Sequence, residues 1–300
     1  MRLFVAVSIT VILFLALLFQ RPQAFVLLKN ISHGQAQNVL PALYDFPIKN
    51  DNAQEPPLIS AKSAIVIDAK TGVTLFEKDP NVRHLPASTT KLMTALVALE
   101  KCSPKDIIIV SALKGDGTQM GLTINDTVNV ENLLYGLLVA SGNDAAYALA
   151  YGCADSLGDF VSSMNERARE LNMQNTHFEN PAGFDNPLQY STARDLALLA
   201  KVAASNPLIA KVVATKSIVL TDSTGNKTYY LENVNKLIGE VEGLEGIKTG
   251  QTEGSLEILI TKTTRNGHTI IVSVLGSYDR FGETKNLIEW AFTNHQWKNP

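Results

Sequence analysis

Two runs rich in β-branched residues, 256–264 (LEILITKTT) and 269–275 (TIIVSVL), flank Asn266-Gly267, and no other segment limits the fold so strongly. Asn-Gly readily takes positive φ at both central positions of a two-residue turn, whose twist matches that of paired strands. An antiparallel hairpin is therefore predicted near the C-terminus. Two shorter strand-like runs, 64–68 and 73–78, are joined by Ala69-Lys70-Thr71-Gly72, a second hairpin signal. Between these ends the sequence turns helical. Residues 88–100, 130–140, 144–156 and 159–171 read as helices, and Thr192 with Asp195 has near capping-box spacing at another helix start. Residues 106–110, 216–221 and 227–231 are short strand candidates, and 279–293 is a closing amphipathic helix. Strands at both ends with helices between them make an α+β pattern. One antiparallel sheet is expected to draw on both ends, flanked by helices, with a mainly helical subdomain inserted.

The 300 residues suffice for one large domain or two modest ones. A net charge of −3 with no basic block gives nucleic-acid binding no electrostatic support. The N-terminus stands apart: Arg2 precedes an uncharged run over residues 3–19 (LFVAVSITVILFLALLF). Its length lies between a secretory signal core and a spanning helix. The best cleavage candidate, Ala24, has a poor context because of Pro22. A retained membrane anchor is therefore expected in preference to a cleaved signal, and in both cases the rest of the chain is exported. Residues 25–60 carry Pro41, Pro47, Pro56 and Pro57 with little periodicity. The expected organisation is 1–24 anchor or signal, 25–60 linker and 61–297 folded domain. Cys102 and Cys153 lie in the exported part, where a bridge is permitted. Two solitary cysteines are nevertheless expected as small buried apolar residues.

Three short motifs carry chemistry: Ser88-Thr-Thr-Lys91, Ser141-Gly-Asn143 and Lys248-Thr249-Gly250. Each has a decoy of the same pattern: Ser111 with Lys114, Ser163 with Asn165, and Lys70-Thr71-Gly72. Context separates them. Pro86 precedes a helix-forming stretch, so Ser88 and Lys91 fall at a helix start, three apart and on one face. A serine hydroxyl needs a base, and a lysine neutralised by burial and nearby cations serves as one. Ser141-Gly142-Asn143 breaks two helices, where a second hydroxyl and an amide can face a cleft. Lys248 and Thr249 pair a cation with a hydroxyl, a carboxylate-binding combination, and Gly250 on a strand lets a peptide backbone lie close. The decoys fall in a Gly-rich loop, inside a helix and in a hairpin turn. No histidine spacing suggests a metal, no phosphate loop is present, and no cofactor is expected. Arg194 is read as helix-start structure.

In this order the three motifs form the signature of class A β-lactamases and penicillin-binding proteins. Their flanks are more telling. Residues 85–100 (LPASTTKLMTALVALE), 131–146 (ENLLYGLLVASGNDAA) and 243–252 (GLEGIKTGQT) closely resemble the D-alanyl-D-alanine carboxypeptidases, the S11 serine peptidases, as do 178–184 (FENPAGF) and 190–197 (YSTARDLA). The resemblance covers roughly residues 60–296. It implies the serine β-lactamase/DD-peptidase fold and an acyl-enzyme on Ser88 formed from peptidoglycan stem peptides. It further implies Lys91 as base, Ser141 as proton relay, Asn143 orienting lysine and substrate, and Lys248 with Thr249 on the terminal carboxylate. The oxyanion hole would use the backbone N–H groups of Ser88 and Gln251, beside Gly250. β-Lactams would acylate the same serine. Some members carry a C-terminal β-rich domain and an anchor helix, whereas this chain stops at Pro300. The N-terminal helix is expected to supply the membrane attachment instead.

Rival readings stay within reach of the same motifs. A β-lactamase of class A would need a glutamate in an E-x-x-L-N pattern, which Glu170-Leu171-Asn172 only approximates. A D,D-endopeptidase would cut chemically similar cross-links. A non-catalytic penicillin sensor would lack turnover.

Overall fold

The computed structural model describes residues 45–114 and 116–299. The expected membrane segment and residues 25–44 of the expected linker lie outside the described residues. The described chain begins with three strands, β1 (Phe46–Lys49), β2 (Ser63–Asp68) and β3 (Thr74–Lys78). A 3-10 turn, Ala87–Thr90, leads into α1 (Lys91–Lys101). The short strands β4 (Ile107–Ile109) and β5 (Thr127–Asn129) pair before α2 (Val130–Leu138), α3 (Asn143–Gly152), α4 (Leu157–Glu170), α5 (Ala193–Ser205) and α6 (Pro207–Val213). A hairpin of β6 (Ser217–Thr221) and β7 (Thr228–Glu232) follows. Three long strands come next, β8 (Leu244–Thr252), β9 (Leu256–Arg265) and β10 (His268–Ser277), then α7 (Arg280–Asn294) and β11 (His295–Lys298).

Five strands form one antiparallel sheet in the order β3-β2-β10-β9-β8, so both ends of the chain share it, as the sequence pattern predicts. The β9–β10 hairpin turns at Asn266 (φ 51°) and Gly267 (φ 79°), with Arg265 opposite His268. Successive side chains of a strand point to opposite faces. Ile65, Ile258, Ile260, Ile271 and Leu275 accordingly join the larger core, on the face where α5 and α6 lie against the sheet. Ala64, Val66, Leu259, Ile270, Val272 and Val274 pack on the other, against Leu287, Ile288 and Ala291 of α7. Burial on both faces explains why these strands read as nearly unbroken apolar runs. Helix α1 is the centre of the larger core, since every residue from Lys91 to Ala98 is buried. Thr192 caps α5 by accepting from the Asp195 amide, as its spacing predicts.

Four expectations are corrected. The folded unit does not begin at residue 61. Strand β1 pairs with β11, the Trp290 indole donates to the Gln54 carbonyl at 2.9 Å, and the Glu283 carboxylate accepts from the Ser60 and Ala61 amides. The partners lie at the far end of the chain, so no local pattern in 46–60 reports them. Secondly, Cys102 and Cys153 form a disulfide, with Cα atoms 5.7 Å apart. They are the C-caps of α1 and α3, and only the packing of those helices side by side brings them within bridging distance. Thirdly, Ser88 sits in the 3-10 turn ahead of α1 rather than in the α-helix. Finally, α6 and the short strands β5 and β11 go unannounced, because so few residues carry no period. Among the described residues no single helix is long and apolar enough to cross a membrane.

Candidate active site

The 3-10 turn and the first residue of α1 place the first motif. Side chains at i and i+3 eclipse in such a turn. Lys91 Nζ therefore lies 2.8 Å from Ser88 Oγ. Its other contact is the Ala182 carbonyl at 2.6 Å. The chain reaches this turn through Ala87, whose φ of 46° lies in the left-handed region. That conformation costs about 1–2 kcal/mol for a residue with a Cβ, the kind of strain that collects at functional sites.

The loop from Asn180 to Phe184 supports the pair from the other side. Asn180 Oδ1 accepts the amides of Gly183 and Phe184, and Thr94 Oγ1 donates to the Pro181 carbonyl. This is the physical content of the 178–184 stretch, which presents the Ala182 carbonyl to Lys91. Gly183 has φ 88°, and a Cβ there would sit 1.9 Å from the Ala87 carbonyl oxygen. Gly183→Ala is expected to destabilise the fold by about 2–4 kcal/mol, from left-handed strain plus overpacking, and to displace Ser88. Urea unfolding checks it; a loss below about 1 kcal/mol would contradict the close packing.

The second and third motifs meet beside Ser88. Ser141, with φ 60°, follows the end of α2, and its hydroxyl accepts from Lys248 Nζ at 2.9 Å. Lys248 Nζ also donates to the Thr249 carbonyl at 3.0 Å. Both lysines are wholly buried. Among the described residues strand β8 is the edge of the sheet, so one row of its backbone groups has no strand partner there. A cleft of about 260 Å³ opens over these elements, lined by Ser88, Ser141, Thr249, Gly250 and Gln251. Three further lining residues, Thr118, Val234 and Arg280, escaped the sequence reading. Arg280 Nη1 donates to the Gly250 carbonyl at 2.9 Å, which fixes its guanidinium at the cleft. A lone arginine at a helix start has no sequence signal that would have found it.

The electrostatics favour a neutral base. Burial drives the Lys91 pKa well below the ordinary lysine value, the Lys248 charge adds to this, and the Asp144 carboxylate opposes it. Burial, followed by the charge of Arg280, pushes Lys248 down to about 7. A deprotonated Lys91 can accept the Ser88 proton.

Asn143 is placed differently from expectation. Its side-chain nitrogen donates to the Asp116 carbonyl at 2.7 Å and its backbone N–H to the Thr118 carbonyl at 2.7 Å. The amide thus braces the neighbouring loop in addition to standing at the second motif. The decoys stay apart from the cleft. Ser111 and Lys114 lie in an irregular segment, with the Lys114 ammonium over the Tyr147 and Phe184 rings. Ser163 and Asn165 bond within α4 and to Phe178, and Lys70-Thr71-Gly72 forms the β2–β3 turn. Arg194 pairs with Glu77, away from the site. Among the described residues no group of three or more His, Cys, Asp or Glu could hold a metal ion.

Residues 50–279 match the Peptidase S11 family, described as D-alanyl-D-alanine carboxypeptidase. The chain is 34% identical over 247 residues to the D-alanyl-D-alanine carboxypeptidase DacF of Bacillus subtilis, covering 79% of this chain and 63% of that relative. It is 36% identical over 241 residues to the D-alanyl-D-alanine carboxypeptidase of Streptomyces sp. K15, covering 74% of this chain and 82% of the relative. The crystal structure of the Streptomyces K15 DD-transpeptidase superposes with a TM-score of 0.75 at 32% identity, over 80% of this chain and 100% of that one.

Proposed function

Because the chain belongs to the Peptidase S11 family of D-alanyl-D-alanine carboxypeptidases, we propose that it removes the terminal D-alanine from peptidoglycan stem peptides through an acyl-enzyme on Ser88. The α+β fold is that of the DD-peptidases. One observation carries the reading: Ser88 Oγ faces the cleft with a buried lysine amine, held toward its neutral form, 2.8 Å away.

The chemistry follows from that contact. Lys91 takes the hydroxyl proton as Ser88 Oγ attacks the carbonyl between the two D-alanines. The backbone N–H groups of Ser88 and Gln251 receive the developing oxyanion. When the C–N bond breaks, the departing amine takes a proton through Ser141, which is linked to Lys248. Water then cleaves the Ser88 ester and D-alanine has left. Thr249 and Arg280 line a small cleft, and the buried Lys248 amine is bonded to Ser141 of the same lining, so positive charge and a hydroxyl gather there. That arrangement suits a free terminal carboxylate and favours a carboxypeptidase over an enzyme that must pass a continuing chain. β-Lactams, which present a strained amide beside a carboxylate, acylate the same serine.

The test is direct. The protein is incubated with an N-acylated peptide ending in D-Ala-D-Ala, and separately with penicillin. D-Alanine release, and a penicillin adduct mapped to the peptide containing Ser88, are the expected results. A folded protein giving neither would refute the proposal. Rapid turnover of penicillin would point to a β-lactamase instead.

The pH dependence follows from the two lysines. The base works only when neutral, so activity falls as pH drops through the lowered pKa of Lys91. Lys248 binds a carboxylate only when charged, so in the free enzyme binding weakens as pH rises through about 7. A bound carboxylate favours the charged amine and raises that pKa. An alkaline limb near 7 is therefore expected in kcat/KM and not in kcat. Initial rates from pH 5 to 10 decide this; an alkaline limb shared equally by kcat would remove Lys248 from carboxylate binding.

Export completes the reading. The substrate lies outside the cytoplasmic membrane, and the Cys102–Cys153 bridge suits an oxidising compartment. Residues 3–19 act as the tether. A mature protein beginning near residue 25, found by mass spectrometry of the cell-derived protein, would exclude the tether while leaving the activity untouched.

A further inference from the structure

Asn143 and Asp144, the first two residues of α3, hold the segment 116–122 from opposite polarities. Asn143 donates to it, from Nδ2 to the Asp116 carbonyl and from its backbone to the Thr118 carbonyl, both at 2.7 Å. Asp144 accepts from it: Oδ1 takes the Met120 amide, and Oδ2 takes those of Gly121 and Leu122, each at 2.9 Å. Oδ1 also accepts the Ala145 amide at 2.9 Å. The carboxylate is 1% exposed, and among the described residues its hydrogen bonds all come from backbone N–H groups. Thr118, within this segment, forms part of the cleft wall. Gly142 leaves room for the arrangement, since a Cβ there would lie 2.7 Å from Asp144 Oδ1.

We propose that Asp144 is a positioning residue for acylation, clamping residues 120–122 to the start of α3 and so fixing Thr118 and Asn143 around Ser88. The inference rests on the reading that Ser88 is the acylated residue. The clamp needs an anion with two acceptor oxygens. An asparagine of the same shape offers one oxygen and turns an NH₂ group toward amides that must donate, so part of the segment is released. Misplacement of about 1 Å near reacting groups costs on the order of 10²-fold in rate.

The charge leaves a second signature. Lys91 faces Lys248 from β8 and Asp144 from α3, and Arg280 at the start of α7 acts on Lys248. Of these, Asp144 alone favours the protonated form of Lys91. Removing its charge lets the base stay neutral to lower pH.

The experiment compares wild type with Asp144→Asn. The rate constant for penicillin acylation is measured from pH 5 to 9, with thermal unfolding alongside. The expected result is acylation slower by about 10- to 100-fold at its optimum, with the acid limb moved to lower pH. A purely structural role would lower the melting temperature but leave the acid limb in place. Acylation within twofold of wild type with an unmoved limb would therefore overturn the inference. Should the variant not fold, hydrogen exchange of wild type still decides the clamp. Slow exchange of the Met120, Gly121 and Leu122 amides supports it, and exchange at surface-loop rates refutes it. Failure of wild type to acylate is a different result, which removes Ser88 as the reactive residue.

Discussion

Lys91→Met is expected to slow acylation of Ser88 by at least about 10⁴-fold while the protein stays folded. A nucleophile and its base act as a unit, and loss of either member costs nearly as much as loss of both. Among the described residues no second base stands in reserve: the other buried lysine, Lys248, is hydrogen-bonded to Ser141 and the Thr249 carbonyl. Methionine fills similar volume without a polar head. Two effects on stability oppose each other. The variant no longer buries an amine at the centre of the core, which favours folding. It also leaves the Ala182 carbonyl without the donor now 2.6 Å away, which costs about 1–3 kcal/mol. The net change in unfolding free energy is expected to stay within about 2 kcal/mol of zero, the two effects being of similar size. Penicillin acylation and urea unfolding on the same preparation separate the outcomes. A rate within tenfold of wild type would remove Lys91 as the base. A rate loss accompanied by unfolding would say nothing about chemistry, and Ser88→Ala, a smaller change, then carries the test.

Reduction of the Cys102–Cys153 bridge is expected to lower the unfolding free energy by about 4 kcal/mol. The two cysteines are 51 residues apart in sequence, and closing a loop of that size removes about this much chain entropy from the unfolded state. The cause predicts a second observable. An unfolded chain freed of the loop exposes more surface, so the denaturant slope should increase along with the drop in stability. Cys153→Ser should reproduce both changes without a reductant. Activity under native conditions should persist, because Lys91 and Ser88 lie at the opposite end of α1 from Cys102 and are held by the buried stretch from Lys91 to Ala98. A loss below 1 kcal/mol would mean that helix packing alone fixes the α1–α3 contact. A loss of activity at unchanged stability would mean that the bridge sets the register of the two helices at the site.

Much of the fold was legible because it rests on local chemistry. Asn266-Gly267 needs positive φ at two positions and finds it in a two-residue turn. Thr192 reports its helix start through a side chain that bonds three residues on. The β-branched content of residues 256–264 and 269–275 marks strands whatever covers them. The missed elements share one cause. Strand β1 exists because β11 lies beside it, and neither carries a period of its own. The disulfide follows from two helices that pack together, and nothing within 50 residues of either cysteine announces the other.

The candidate site divides along the same line. By itself the sequence determined the groups available: Ser88 and Lys91 one turn apart, a hydroxyl and an amide at a helix break, and a Lys-Thr-Gly strand. It also determined the context that sets them above their decoys, because helix starts, helix breaks and tight turns are written in nearby residues. Only the tertiary structure decided what those groups do to one another. It brought Lys248 to 2.9 Å from Ser141, set the Ala182 carbonyl against Lys91, and placed Arg280 at the cleft. It also turned the Asn143 amide toward Asp116. The physical reason is that a pKa and a hydrogen bond depend on burial and on charges brought from distant parts of the chain. Spacing can name a lysine as a base, but only burial in the core and the nearby charge of Lys248 on β8 push that lysine toward its neutral form, against the Asp144 carboxylate on α3.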